Sequence, residues 1–347
     1  MRTFLLGSGL AAKETIAIIK ERGFLREPGD ELVVKQRQAL NAIYRFGCDR
    51  PFSESAADNP SFALFDLAIL AVPAEASREY APRFVAGGVP VIDYSEAYRD
   101  DPENPLVVAG VNDDSLAGHC GIICNPNCAT MQMVTALKPI LDAVGIEKLR
   151  VATWQAVSGV GRSGLAHLRV QQKGPQERHH YEPMRDNDPF PAPIADNVIA
   201  QVGSFQPGDD RSSEERKIAA ETRRILDANI PMKVFCSRVP IARGHSLLVE
   251  VKTTGQLSAA GCRELLGASP GLLVSDIPGK EIYPQPVAVV GRDEVYVGRI
   301  QDVDPRVEER SVSLWIAADN LRVGTALNGV KLAELLRERN LLRRVPA

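Results

Sequence analysis

Thr3-Phe4-Leu5-Leu6-Gly7-Ser8-Gly9-Leu10-Ala11-Ala12 decides the fold class. A short apolar run meets a glycine turn and gives way at once to a helical pattern, with Ala12, Ile16 and Ile19 on one face and Gly23 as its stop. In that context the turn fits G-x-G-x-x-G/A. Gly7 permits the tight turn, Gly9 lets backbone amides approach a pyrophosphate at the helix N-terminus, and Ala12 allows close helix–strand packing. The same residues also suit a small-residue turn in an α/β domain that binds no nucleotide. The second strand runs into Lys35-Gln36-Arg37-Gln38 and ends on no clear acidic residue, which suits a 2′-phosphate better than a bare ribose.

Outward from this turn, Glu31–Val34, Asp66–Val72, Val89–Ile92, Leu106–Val111 and Gly121–Cys124 read as further strands. Asp66–Val72 is continuously apolar after its first residue and is ended by Pro73, the pattern of a strand covered on both faces. Glu75–Val85 reads as a helix that Pro82 kinks or shortens. This alternation predicts an α/β fold with a Rossmann-like, doubly wound, mostly parallel sheet. From Cys128 the pattern changes. Met131, Val134, Leu137, Leu141 and Val144 recur at helical spacing, while Leu149–Gln155 and Ser246–Lys252 read as strands. Ser311–Ala318 alternates cleanly, which predicts an antiparallel sheet with one open face in a second, α+β domain. The polar stretch Gln171–Pro193 reads as a surface excursion, and Asn320–Asn340 as a last helix returning to the first domain.

A chain of 347 residues is long enough for two domains with proper cores. Lys+Arg 41 against Asp+Glu 44 leaves a formal charge of −3, which gives no reason to expect nucleic acid or an anionic membrane as partner. No apolar run approaches the ~20 residues needed to cross a bilayer, and the start is not a signal peptide. Six cysteines without an export signal are expected to be reduced thiols in the cytoplasm.

One of those thiols stands apart. Asn125-Pro126-Asn127-Cys128-Ala129-Thr130 sets Cys128 where a strand ends and a helix begins. Free amides and the helix dipole there stabilise a thiolate, lowering the pKa from about 8.5 toward neutrality. A thiolate attacks carbonyl carbon and holds an acyl group as a thioester, to which a nicotinamide can deliver hydride. Cys48, Cys236 and Cys262 read as small buried hydrophobes. Cys120, Cys124 and Cys128 stand four apart beside His119, yet no C-x-x-C pair occurs and a strand would scatter their side chains, so no metal is expected. His119, His167, His179 and His180 show no local partner logic. His245 differs, because Arg238-Val239-Pro240 and Gly244-His245-Ser246 set an arginine, a glycine turn and a histidine at the mouth of a strand.

Taken together these segments resemble the aspartate-semialdehyde dehydrogenase family. The likeness covers most of the chain and is densest from Val89 to Cys128, Thr153 to Gly164 and Phe190 to Asn328. Its most specific block surrounds Cys128. Beside it stand Trp154-Gln155-Ala156-Val157-Ser158-Gly159, the two His245 segments, and Asp319-Asn320-Leu321-Arg322 with Ala326-Leu327-Asn328. The resemblance implies Cys128 as nucleophile, His245 as general acid/base and Gln155 orienting the substrate. It implies Arg238 on the substrate carboxylate, Arg99 and Asn127 in a phosphate site, and Glu214 with Lys217 on the substrate amino group and phosphate. Asn328 matches a residue near the nicotinamide. The implied cofactor is NADP, held by Gly7, Ser8, Gly9, Leu10, Ala11 and Ala12 and by Arg37. The implied partners are a small-molecule acyl phosphate or semialdehyde and phosphate, with a second copy of the chain as a homodimer. On this reading residues 1–127 with 320–347 bind dinucleotide, and 128–319 carry catalysis and dimerisation.

The departures from the family lie in the cofactor half. Gly7–Ala12 is one residue shorter than the family's G-x-T-G-x-V-G. Asp93-Tyr94-Ser95-Glu96 stands where Asp-Asn-Ser-Ser is common, and Ala109-Gly110-Val111-Asn112 replaces Pro-Glu-Val-Asn. These changes leave room for two other readings: a paralogue acting on a different acyl phosphate or semialdehyde, and a non-catalytic relative that has lost nucleotide binding.

Overall fold

The computed structural model describes residues 1–35, 42–45, 62–173, 188–304, 306 and 310–342. Arg37, Cys48, His179, His180 and most of the Gln171–Pro193 stretch lie outside them. Met1–Asn127 with Thr325–Ala347 form one compact unit, and Cys128–Gly324 form another.

In the first unit β1 (Arg2–Leu6), α1 (Leu10–Arg22), β2 (Glu31–Lys35), β3 (Ala42–Arg45), β4 (Leu67–Leu70), α2 (Ala74–Ala86), β5 (Val91–Asp93) and β6 (Ile122–Cys124) follow in order. They build a six-stranded sheet ordered β3-β2-β1-β4-β5-β6. Every pairing is parallel except that of β3 with β2. The chain winds outward in opposite directions from β1, which puts the switch point at the carboxyl ends of β1 and β4. Phe4 of β1 packs its ring 5.0 Å from those of Phe65 and Phe84 beneath the sheet. α1 stops at Gly23 because that residue takes φ 59°, where its N–H closes onto Ile19 O and Lys20 O.

Three sequence expectations change here. Of the two effects expected of Pro82, shortening does not occur, since α2 runs to Ala86 with the proline inside it. Leu106–Val111 is not a strand, since Leu106 alone bridges Cys124. Beyond that bridge, side-chain amides take over the backbone. Asn112 accepts from Val108 N–H at 2.9 Å and donates to Leu106 O at 2.9 Å, while Asn328 accepts from Ala109 N–H at 2.8 Å. The expected Asn320–Asn340 helix is interrupted by a π-turn over Arg322–Ala326, and a regular C-terminal helix spans only Leu327–Glu338. The Asp319 carboxylate caps Leu321 and Arg322 N–H, and Gly324 N–H reaches back five residues to Asp319 O at 3.1 Å.

The second unit opens with α3 (Cys128–Val144), β7 (Ile146–Gln155) and α4 (Gly161–Lys173), then the small hairpin β8 (Phe205–Gln206) and β9 (Asp209–Ser212). α5 (Ser213–Leu226), β10 (Met232–Arg238), β11 (His245–Thr253), α6 (Ala259–Gly267), β12 (Leu272–Val274), β13 (Val295–Asp302) and β14 (Ser311–Ala318) complete it. Their six-stranded sheet has the order β10-β7-β11-β14-β13-β12. β7, β11, β14 and β13 are antiparallel, as the alternation of Ser311–Ala318 predicts, while the edge strands β10 and β12 pair parallel, so the sheet is mixed. Leu247, Val249 and Val251 of β11 and Leu314 and Ile316 of β14 are fully buried on one face. α3, which packs against β7, β11, β13 and β14, covers that face. The other face carries Phe235, Leu248 and the paired rings of Trp154 and Trp315, 5.0 Å apart. α5 starts on a full capping box, with Ser212 Oγ accepting from Glu215 N–H at 3.4 Å and Glu215 Oε2 accepting from Ser212 N–H at 2.8 Å. Among the described residues no helix is long and apolar enough to cross a membrane.

Candidate active site

The glycine turn sits at the switch point of the first unit. Gly7 takes φ +146°, and a Cβ on it would stand 2.5 Å from the Ala71 carbonyl oxygen just past β4. Only glycine fits such an approach. Ser8 and Gly9 are exposed, Leu10 and Ala11 half-buried, and Ala12 fully packed. No side-chain hydrogen bond caps α1 at Gly9, and its first turn holds no acidic residue. A cradle that a Cβ would close, opening on a helix N-terminus without a carboxylate, suits the phosphates of a dinucleotide.

Asn328, which the resemblance sets near the nicotinamide, is tied by its side chain within the first unit. Its amide donates to Val107 O and Asn125 Oδ1, both at 2.8 Å, as well as accepting from Ala109 N–H. It therefore fixes the loop that replaces the expected strand at Leu106–Val111. Tyr94, where the family commonly has asparagine, is absorbed into the core. Its hydroxyl meets Thr15 Oγ1 at 3.2 Å, and a Cβ on Gly329 would lie 2.1 Å from that oxygen. Burial pushes the phenol pKa far up, so Tyr94 stays neutral. Glu96, by contrast, is exposed. Arg99 donates from Nη2 to Tyr94 O at 2.9 Å, and Asn127 is buried at the unit's end.

In the second unit the expected catalytic residues come together at one end of the mixed sheet. Gln155 closes β7, Arg238 closes the neighbouring β10 directly opposite it, and His245 opens β11. Cys128 is the first residue of α3 and is half-buried. Arg238 interacts electrostatically with both Cys128 and His245. Its Nη1 donates to Ala156 O at 2.7 Å, and burial holds its pKa below the usual guanidinium value. Glu214, in the first turn of α5, bridges two partners: Gln155 Nε2 donates to its Oε1 at 3.1 Å, and Lys217 Nζ lies 3.3 Å from its Oε2. His245 is wholly buried. Ala156 N–H donates to its Nδ1 at 3.0 Å, while burial first and the Arg238 charge second hold its pKa well below 6.5.

The remaining described thiols are poorly placed for chemistry. Cys124, Cys236 and Cys262 are buried, and burial drives the Cys236 pKa far up and that of Cys262 up to about 12. Cys120 is exposed. His119 is a packed link, its Nε2 3.0 Å from Leu341 O. His167 lies 3.9 Å from Asp188.

Sequence reading assigns no task to the Asp319-Asn320 pair, and the structure gives it one. Asn320 Oδ1 accepts from Gly244 N–H at 2.9 Å, and its Nδ2 meets Ser158 Oγ at 3.0 Å. Asp319 accepts from Arg243 Nε at 2.6 Å and from Gly291 N–H at 2.7 Å. Asn320 thus ties the turn before His245 to the segment after Gln155, and Asp319 ties the same turn to Gly291. Their signal in the sequence is a polar pair directly after the apolar strand β14.

Comparison with known proteins agrees with this architecture. Residues 5–119 match the NAD binding domain of semialdehyde dehydrogenases, and residues 137–323 match their dimerisation domain. The chain is 38% identical to an aspartate-semialdehyde dehydrogenase of Aquifex aeolicus (strain VF5), over 98% of this chain and 99% of that one. It is 33% identical to that of Bacillus subtilis (strain 168), over 96% of each. The crystal structure of aspartate semialdehyde dehydrogenase II of Vibrio cholerae, complexed with ASA, superposes with a TM-score of 0.86. That pair is 32% identical and aligned over 97% of this chain and 98% of the other. With both domain types matched in order and near-complete coverage of these relatives, the chain belongs to the aspartate-semialdehyde dehydrogenase family.

Proposed function

We propose that the chain interconverts aspartyl 4-phosphate and aspartate 4-semialdehyde through a thioester on Cys128. The observation that carries this is the gathering of Cys128, Gln155, Arg238 and His245 at one end of a single sheet, with Glu214 hydrogen-bonded to Gln155. In the reductive direction the Cys128 thiolate attacks the acyl carbonyl carbon, and the C–O electron pair leaves with phosphate. Bound NADPH supplies the hydride that reduces the resulting thioester. The C–S pair then returns to Cys128 as the aldehyde carbonyl reforms.

Arg238 takes the substrate α-carboxylate in a bidentate fork, and Glu214 takes its ammonium. Gln155 orients the acyl group, and His245 serves the carbonyl oxygen. Arg99, Asn127 and Lys217 address the phosphate. Gly7 to Ala12 receive the cofactor's pyrophosphate, and Lys35 and Arg37 favour the 2′-phosphate of NADP over NAD. The reaction is assigned to the cytoplasm. Phe235, Leu248, Trp154 and Trp315 on the open sheet face form the contact of a homodimer, a reading supported by the dimerisation-domain match.

The test is a phosphate-dependent assay with aspartate semialdehyde. Reduction of NADP that stops when phosphate is withheld is the expected result. No turnover by saturating pure enzyme overturns the proposal, and a higher kcat/KM on another semialdehyde reassigns the substrate.

A further inference from the structure

The acyl-transfer chemistry gives Tyr94 no task, yet its side chain is built into the backing of the cofactor cradle. Tyr94 follows β5 directly, and its N–H donates to Leu70 O at 3.0 Å, so its backbone is fixed to the end of β4. From there the side chain runs into the core, and the residue is only 8% exposed. A Cβ on Gly329 would stand 2.1 Å from Oη and 2.4 Å from Cε1, so the ring lies directly on the backbone of the C-terminal helix. α1 packs against that same helix. A phenylalanine would cover Gly329 equally well, so packing alone gives the hydroxyl no use.

The hydroxyl starts a relay that reaches the first turn of α1. Thr15 Oγ1 donates to Ala11 O at 2.9 Å. A hydroxyl has a single proton, so at its 3.2 Å contact with Thr15 the phenol is the donor. Ala326 O, at 3.5 Å, is the longer of the two contacts that Tyr94 Oη makes. The ladder of α1 begins with Lys13 N–H on Gly9 O at 3.2 Å, which leaves the amides of Leu10, Ala11 and Ala12 ahead of it at the cradle. Ala11 C=O and Ala12 N–H belong to one peptide group. Hydrogen bonds in a chain polarise one another, so a bond taken on the Ala11 oxygen makes the Ala12 N–H a stronger donor. No side-chain hydrogen bond caps α1 from the front; Thr15 holds its first turn from behind.

We propose that Tyr94, acting through Thr15, is a positioning residue for the cofactor: it holds the Ala11–Ala12 peptide in place and strengthens the N–H that this peptide offers to the pyrophosphate. This rests on the cofactor reading given above. Tyr94 touches no phosphate itself. Its contribution is to keep the first turn of α1 set before the cofactor arrives, so that less ordering is left to binding.

The experiment is calorimetric titration of NADP into the full-length protein, with urea unfolding of each variant beside it. Tyr94→Phe keeps the ring and removes the donor, Thr15→Val removes the relay oxygen, and Thr15→Ser retains it. Expected are Kd values raised about three- to tenfold in Tyr94→Phe and Thr15→Val, the range one hydrogen bond supports. Thr15→Ser should stay within about twofold of the wild type, and the double variant should bind no worse than the weaker single, because both changes break one relay. Phe65→Leu is the control for stability, since its ring packs on those of Phe4 and Phe84 and takes no part in the relay. It should lower the urea midpoint and leave Kd within about twofold, the scatter of independent sites. An unchanged Kd in Tyr94→Phe, whatever its midpoint, overturns the proposal. So do additive losses in the double variant, or a Phe65→Leu protein that binds as weakly as Tyr94→Phe. No binding of NADP by the wild type overturns the cofactor reading and takes this proposal with it, whereas wild-type binding with Tyr94→Phe unaltered overturns this proposal alone.

Discussion

Gly324 lies directly against Cys128: a Cβ on the glycine would stand 2.8 Å from Cys128 Cβ and 3.1 Å from its carbonyl oxygen. Gly324 sits in the π-turn that follows β14, so the sheet's end and the start of α3 are packed backbone to backbone at Cys128. The atoms that would have to move belong to the first residue of a helix and cannot swing aside as a long side chain can. Gly324→Ala should therefore destabilise by about 1–3 kcal/mol through overpacking and displace the thiol. Expected are a fall in kcat with KM nearly constant and slower alkylation of Cys128. Unchanged kcat and alkylation rate would mean the contact is slack.

Thiol chemistry separates the cysteines by position. Iodoacetamide should modify Cys128 and the exposed Cys120 in the native protein and spare the buried Cys124, Cys236 and Cys262. Cys128→Ala should abolish turnover while leaving Tm within about 2 °C, since a half-buried thiol contributes little packing. Peptide mass spectrometry after brief labelling reads the first outcome. Loss of activity that tracks Cys120 labelling instead of Cys128 would reject the assignment.

Arg238→Lys probes the fork. Lysine cannot both hold Ala156 O and offer two parallel N–H groups to a carboxylate. Because Ala156 also donates to His245, the substitution loosens two catalytic contacts together. The expected loss in kcat/KM is about 10²-fold, as for angstrom-scale misplacement of a reacting group. A change confined to KM would show that Arg238 binds substrate without bracing Ala156.

How much of this was legible beforehand depended on how local each signal is. The β1–Gly7–α1 unit could be read because strand, turn and helix stop lie within a few turns of chain, and Gly23 does adopt the left-handed cap. Leu106–Val111 misled because an apolar run says nothing of whether a neighbouring strand will pair with it. Here Asn112 and Asn328, six and more than two hundred residues from their partners, satisfy the backbone in place of a ladder. Cys128 stood out by its place between a strand and a helix, while Arg238 and His245 owed their roles to the family resemblance. The donor that fixes His245 did not, because a backbone N–H at Ala156 has no side-chain signature. The clamp role of Asn320 likewise appears only once β14 is seen to end beside the His245 turn.

The Asn328 clasp gives a stability prediction for the first unit. Asn328→Ala removes three hydrogen bonds and leaves Ala109 N–H, Val107 O and Asn125 Oδ1 to find other partners. A cost of about 2–4 kcal/mol is expected, the sum of buried polar groups losing their partners. Denaturant unfolding should show a lowered midpoint, with NADP affinity reduced in parallel. An unaltered midpoint would mean water replaces the amide at no cost.

The buried His245 also sets a pH dependence of folding. Its folded-state pKa is depressed well below 6.5, so the unfolded chain binds the proton more readily in the interval between the two values. Stability therefore rises with pH through that interval. The contribution is fully present above about pH 6.5 and is lost as pH falls toward the folded pKa, at up to ~1.4 kcal/mol per pH unit. Urea unfolding at pH 7.0 and 5.5 should give a lower free energy at the acid pH, and His245→Gln, which cannot titrate, should show a smaller drop. Carboxylates titrate lower, around pH 4 in their ordinary range, so the difference between wild type and variant isolates the histidine. An identical pH dependence in both would place a water-accessible, ordinary imidazole at position 245, contrary to its complete burial.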